Sequence, residues 1–150
     1  MASRDLAYFQ LRPVLQVRPD PGLCPKILVP PQQPGWFCPK TATPRYRLGP
    51  AALTGANVAT AEAGLPQGGT TWAVNVDFDE PGTQLFADLT AQLLVQPPPR
   101  DQVAIVIGGV VANAPDIEAR IDGGLAQITG DFTEQQATQL AERLATGSAA

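Results

Sequence analysis

The sequence predicts an α+β fold, in which a mostly antiparallel sheet carries two main helices on one face, with a Pro-rich arm at the N-terminus. Three observations predict it. Residues 71–78 alternate strictly between apolar and polar side chains, as a half-buried strand does. Two later segments carry apolar residues at helical spacing behind capping residues. Ten of the 16 prolines lie between Pro13 and Pro50, which disfavours a long helix or a central strand there.

The arm is predicted to span residues 1–47, and the head domain residues 48–150. Within the arm, residues 8–17 alternate well enough to form one strand. Pro13 lacks the N–H that a ladder needs, so we expect this strand at the edge of a sheet. The rest of the arm is expected to be a wrapped loop.

Two cysteines, Cys24 and Cys38, lie in the arm, and each is followed by proline. One interpretation is a structural disulfide, which would remove about 3 kcal/mol of unfolded-state entropy by closing a loop of about 15 residues. Such bonds persist outside the cytosol. The alternative is a pair of free thiols in a reducing compartment. A metal site would need further ligands, and the chain has no histidine to supply them.

The first elements of the head domain follow residue 48. Thr54 is expected to cap a short helical turn, and a weak strand or coil follows it. The strand at residues 71–78 is expected to bury one face, formed by Trp72, Val74, Val76 and Phe78. Asp79 or Glu80 then caps the first helix, with Pro81 in its first turn. The apolar stripe of that helix is predicted to be Leu85, Phe86, Leu89 and Leu93.

A hairpin and a second helix complete the head domain. Gly108 and Gly109 form a favoured two-residue turn between two β-branched runs, and we expect this hairpin to lie centrally. A last strand is predicted at residues 125–129. Thr133 and Gln136 then form a capping box at the start of the second helix. Its buried stripe is expected to be Ala137, Leu140, Ala141 and Leu144, and Gly147 is expected to end it.

Composition excludes several function classes. The net charge of −4 argues against a nucleic-acid partner, because such proteins present a basic face. No stretch approaches the roughly 20 apolar residues of a membrane span, so the chain is expected to be soluble. The absence of histidine excludes catalysis by Ser-His-Asp or Cys-His groups. We therefore expect a protein that is not an enzyme and that binds no cofactor and no metal.

Two clusters are the remaining candidates for binding. Asp77, Asp79 and Glu80 could hold calcium or act as an acid–base pair, but a polar strand face and a helix cap explain them better. The aromatic residues could form a ligand platform, although Trp72 is better explained as core; they are Phe9, Trp36, Phe37 and Trp72. Trp36 and Phe37 either pack the arm down or present an apolar contact patch.

The second half of the chain resembles the head part of the first extracytoplasmic domain of the SecD family. The resemblance covers about a hundred residues, with its motifs in family order. The motifs are GPAALTG (49–55), WAVNVDFDEPGTQLFADLT (72–90), AIVIGGVVANAP (104–115), IDGGLAQITGDFT (121–133) and QATQLAERLATG (136–147). LRPVL at residues 11–15, followed by a Pro-rich stretch, resembles the actinobacterial version.

The resemblance implies a non-enzymatic subunit of the bacterial protein-export machinery. With SecF and the Sec channel, such a subunit assists late, proton-gradient-driven translocation, and its head touches the unfolded preprotein. The implied location is the extracytoplasmic side of the cell membrane, reached through parent segments that this chain lacks. The implied motif residues are structural: Gly108, Gly109, Pro115, Gly123, Gly124, Gly130, Phe132 and Thr133.

Two departures from the family pattern leave an alternative open. Residues 107–109 read IGG where the family has LDG, and residues 147–150 read GSAA where the family has a GALP-like end. The adjoining base subdomain is also missing. The alternative is a stand-alone secreted or lipid-anchored envelope protein that uses a SecD-like fold to bind another component. In either case we expect contact through strand edges or shallow apolar patches.

Overall fold

The computed structural model describes residues 8–20, 29–65 and 68–148. Within these residues the chain forms nine strands, one 3-10 turn and two helices. The strands are β1 (Phe9–Arg18), β2 (Gly35–Phe37), β3 (Arg45–Leu48), β4 (Leu53–Thr54), β5 (Val58–Gly64), β6 (Trp72–Phe78), β7 (Val103–Ile107), β8 (Val110–Asn113) and β9 (Leu125–Phe132). The 3-10 turn is Gly55–Asn57, and the helices are α1 (Glu80–Leu94) and α2 (Glu134–Ser148).

The strands form two sheets. The larger has the order β2-β3-β1-β7-β8, with β4 also paired to β1, and the smaller has the order β5-β6-β9. Every pairing between these strands is antiparallel. The predicted α+β class, with mostly antiparallel strands and two main helices, is confirmed.

The main core collects side chains from both sheets and both helices. In α1 the predicted stripe is confirmed at Phe86, Leu89 and Leu93, which are buried. Leu85 is 44% exposed, so its predicted burial is wrong. Neighbouring residues are about 100° apart around a helix. Leu85 therefore lies at the border of the apolar stripe that Phe86 and Leu93 form. The Phe86 ring meets Phe78 edge to face, with 5.2 Å between ring centroids.

The prediction that the first strand lies at a sheet edge is wrong. Strand β1 lies inside the larger sheet, between β3 and β7. Pro13 is tolerated there because β1 changes partner beside it, from β4 at Leu11 to β3 at Val14. The Pro13 carbonyl accepts from the N–H of Gly49, in the link between β3 and β4. The N–H that proline lacks would thus lie between the pairing with β4 and the pairing with β3, where β1 makes no regular strand hydrogen bonds on that side.

The arm is more regular than the wrapped loop that its prolines predict. It forms β2 and β3, and these strands enclose a second core with β1, β7 and β8, centred on Val14, Phe37 and Leu48. The predicted division of the chain at residue 48 stays a prediction, and β1 pairs across it with β7. Cys38 is buried beside β2, whereas Cys24 lies outside the described residues. The predicted disulfide therefore stays a prediction.

The hairpin turn is confirmed, but the hairpin as a whole is not central. Gly108 and Gly109 both have positive φ, as the favoured two-residue turn requires. Strand β7 is interior, and β8 is the last strand of its sheet among the described strands. Beyond β8, the N–H of Val111 donates to the Cys38 carbonyl at 3.0 Å, which brings the sheet towards closure.

The caps of both helices are confirmed. Asp79 Oδ1 accepts from the N–H of Gly82 at 2.7 Å at the start of α1. At α2 the N–H of Thr133 donates to Gln136 Oε1, and the N–H of Gln136 donates to Thr133 Oγ1. Strand β9 runs to Phe132, three residues beyond its predicted end. Helix α2 runs to Ser148, so the prediction that Gly147 lies just beyond it is wrong.

Candidate functional site

A groove of about 690 Å³ opens between β8, β9 and α2. Its apolar floor includes Val111 and Leu140, which are buried, and Phe132, which is half-buried. Val110, at 37% exposed, stands on the β8 side, and Gln139 stands on the exposed side of α2. The lining is therefore mainly apolar, with amide groups towards solvent.

Two strand edges border this groove and do not pair with each other. Strand β8 pairs with β7, and β9 pairs with β6. Across the gap the N–H of Thr129 donates to the side chain of Asn113 at 3.4 Å. Neither strand has a regular strand partner on its facing side among the described strands, but the Thr129 N–H there donates to Asn113 and the Val111 N–H donates to the Cys38 carbonyl. An inserted extended chain would pair with the remaining backbone groups of these edges.

Two cationic side chains lie at the rim of the groove. The Arg143 guanidinium lies over the Tyr8 ring, 3.6 Å from its centroid, and Lys40 lies nearby on the segment that follows β2. No carboxylate is among the described residues that line the groove. The described lining thus carries cationic side chains and no carboxylate.

Of the motif glycines near β9, Gly130 lines the groove and Gly124 lies at a close contact with α1. Gly124 has φ of +76°, and its carbonyl accepts from the N–H of Phe78 at 2.8 Å. A Cβ at Gly124 would collide with the Thr83 side chain, whereas a Cβ at Gly123 would meet nothing within 4 Å. A Cβ at Gly130 would lie 3.3 Å from the Phe132 ring. These contacts give the motif a packing explanation.

The remaining motif residues hold the same elements together. The Pro115 carbonyl accepts from the N–H of Val103 at 3.1 Å, which extends the β7–β8 hairpin. Phe132 lies opposite Trp72 in the β6–β9 pairing, and Thr133 caps α2 directly after it. The groove thus joins the hairpin motif to the Gly130–Thr133 motif, although the sequence places them some twenty residues apart.

Two of the three side chains of the acidic cluster have structural partners. Asp77 Oδ2 accepts from the Thr60 hydroxyl at 2.9 Å, and Asp79 is the α1 cap. Over residues 8–20, 29–65 and 68–148, no group of three or more His, Cys, Asp or Glu side chains is placed to hold a metal ion.

The aromatic residues do not form one platform. Phe9 is buried in the main core, Phe37 is buried in the second core, and Trp72 is half-buried against the main core. Trp36 stands apart on β2, where its ring is flanked by Arg18 and Arg45.

Sequence reasoning missed Arg12, which has no exposed surface. Its Nε donates to Gln10 Oε1, and its terminal nitrogens donate to four backbone carbonyls. The carbonyls belong to Val29, Pro30, Gln33 and Gly49. Burial lowers the pKa of Arg12 from its ordinary value, yet an arginine stays charged in proteins. The burial of Arg12 could have been predicted from its position two residues before Val14, because residues i and i+2 of a strand lie on the same face.

None of the helices in the described ranges is long and apolar enough to cross a membrane.

Comparisons with known proteins give consistent matches. The family described as SecDF, P1 head subdomain, matches residues 37–150. Protein translocase subunit SecD of Streptomyces coelicolor is 36% identical over 105 residues, covering 69% of this chain and 18% of that protein. The same subunit of Mycobacterium tuberculosis is 32% identical over 121 residues, covering 79% of this chain and 20% of that protein. The chain thus spans about a fifth of these curated relatives.

Solved structures agree with the sequence matches. A SecDF structure described as a membrane component that enhances protein export superposes with a TM-score of 0.68 at 27% identity, covering 93% of this chain and 62% of that chain. SecDF in a form described as super-membrane-facing gives the same TM-score at 26% identity, covering 93% of this chain and 19% of that chain. Sequence and structure therefore agree that the chain belongs to the SecDF P1 head subdomain family.

Proposed function

We propose that this chain is the extracytoplasmic head of a SecD-type translocase subunit, and that its groove holds an extended segment of the preprotein during export. The role is non-enzymatic. SecF and the Sec channel are the proposed partners of the complete protein, which assists late translocation driven by the proton gradient. The observation that carries the proposal is the groove between two strand edges that are not paired with each other.

The geometry of the groove suits an unfolded chain. Backbone hydrogen bonds at a strand edge are the same for every sequence, so they can bind many preproteins. The free edge is short, because β8 has four residues and its Val111 N–H already donates to the Cys38 carbonyl. Such a short contact gives weak binding, and a passing chain must be released as readily as it is bound.

The apolar floor adds affinity without strict selectivity. Val110, Phe132 and Leu140 offer shallow apolar area, which favours aliphatic and aromatic side chains of the bound segment. Lys40 at the rim favours acidic neighbours on that segment and opposes basic ones.

Val110→Glu is expected to weaken binding of an unfolded, reduced polypeptide about tenfold, because it places a charge on the apolar side of the groove. Fluorescence anisotropy with a labelled apolar peptide measures the affinity. Val95→Glu is the matched control, since Val95 is 77% exposed and lies after α1, away from the groove. Equal losses in both variants, with unchanged melting temperatures, would contradict the proposed site.

A further inference from the structure

A basic surface lies on the side of β1, β2 and β3 that faces away from the second core. In β3, Tyr46 and Leu48 pack into the second core, so Arg45 and Arg47 lie on the other face. Arg47 is exposed there, whereas the Arg45 side chain is 17% exposed. Arg18 at the end of β1 and Trp36 in β2 lie beside them. We call these four residues, Arg18, Trp36, Arg45 and Arg47, the basic face.

The charges of this face are not balanced within the described chain. Arg18 lies directly opposite Arg45 in the antiparallel pairing, and like charges in that position destabilise a sheet. Asp20 forms an ion pair with Arg45 at 3.3 Å, with its side chain 60% exposed. Three arginines against this one carboxylate leave two positive charges, although the chain as a whole carries −4.

The tryptophan is held between the guanidinium groups. Its ring centroid lies 5.9 Å from the Arg18 guanidinium carbon and 5.2 Å from that of Arg45. The ring is half-buried, so part of its surface is presented together with the charges. Tryptophan and arginine on one surface are typical of protein regions that meet a membrane interface.

We propose that the basic face binds the anionic headgroup surface of a phospholipid bilayer. Guanidinium groups bind phosphate oxygens through paired hydrogen bonds. The exposed Arg18 and Arg47 and the half-buried Trp36 lie on one face of adjacent strands, so they can meet one surface together. An anionic bilayer repels the rest of this acidic chain, so the face also determines the orientation of the domain. The inference does not depend on the groove, and either can fail without the other.

Cosedimentation of the 150-residue chain with vesicles tests the proposal at low ionic strength. Vesicles of phosphatidylglycerol and phosphatidylcholine are compared with vesicles of phosphatidylcholine alone. The test variant is Arg18→Gln with Arg47→Gln. The control variant is Arg100→Gln with Arg120→Gln, which removes the same charge from two exposed positions in other connections. Polyglutamate is added as a competitor to detect preference for an acidic polypeptide.

We expect binding to vesicles with phosphatidylglycerol and not to phosphatidylcholine alone. The test variant should lose about 30-fold in affinity, from about fivefold for each arginine near an anionic surface. The control variant should lose less than about threefold, because its arginines lie outside the face. Equal losses in the two variants, or no preference for phosphatidylglycerol, would overturn the proposal. Binding to polyglutamate in preference to vesicles would also overturn it and assign the face to an acidic polypeptide.

Discussion

Replacement of Arg12 by methionine is expected to lower the free energy of unfolding by about 3–5 kcal/mol. The guanidinium makes five hydrogen bonds inside the second core, and its acceptors come from β1, the arm and the link after β3. Methionine fills similar space but leaves the carbonyls of Val29, Gln33 and Gly49 without that donor. Buried acceptors that lose a charged donor carry most of the cost.

The loss should begin in the arm. Hydrogen exchange in the Arg12→Met variant should speed up first at the amides of β2 and β3, because their segment is tied down through this guanidinium. Urea denaturation gives the total change, with Arg100→Met as the control at an exposed position. If both variants unfold at the same urea concentration, the stabilising role assigned to Arg12 is wrong.

Gly124→Ala is expected to cost about 2–3 kcal/mol. An alanine at φ of +76° is strained by about 1–2 kcal/mol, and its Cβ would also displace the Thr83 side chain. The Thr83 hydroxyl donates to the Asp79 carbonyl at 2.8 Å in the first turn of α1. Moving it disturbs the join between α1, the end of β6 and the start of β9.

Gly123→Ala provides a control from the neighbouring position. Its Cβ would meet no atom within 4 Å, and the residue has no positive φ. We therefore expect a change of less than about 0.5 kcal/mol. Thermal unfolding of the two variants tests whether the cost comes from the positive φ and the Thr83 contact of Gly124. If the protein instead needed a flexible glycine at both positions, the two variants would be equally unstable.

The sequence was most informative where one local signal decided the structure. The alternation in β6, the capping box at Thr133 and the glycine pair of the hairpin each determine an element without help from distant residues. Leu85 shows the limit of a periodic pattern. The spacing identifies the buried face of a helix, but it does not show how far burial extends around the helix.

The errors arose where tertiary contacts decide. Pro13 suits a sheet edge in general, and its tolerance inside this sheet depends on the partner change beside it. The burial of Arg12 depends on carbonyls from as far as Gly49, and no local pattern encodes them. The groove arises between strands of two different sheets, so its position could not be derived before the strand order was known.

Photo-crosslinking in living cells tests most directly whether the groove contacts exported chains. A photoreactive amino acid is placed at Gln139, an exposed glutamine at the groove, or at Gln92, an exposed glutamine on α1. With a preprotein arrested late in export, the account predicts crosslinks from position 139 and none above background from position 92. Equal crosslinking from both positions, or crosslinking from position 92 alone, would contradict it.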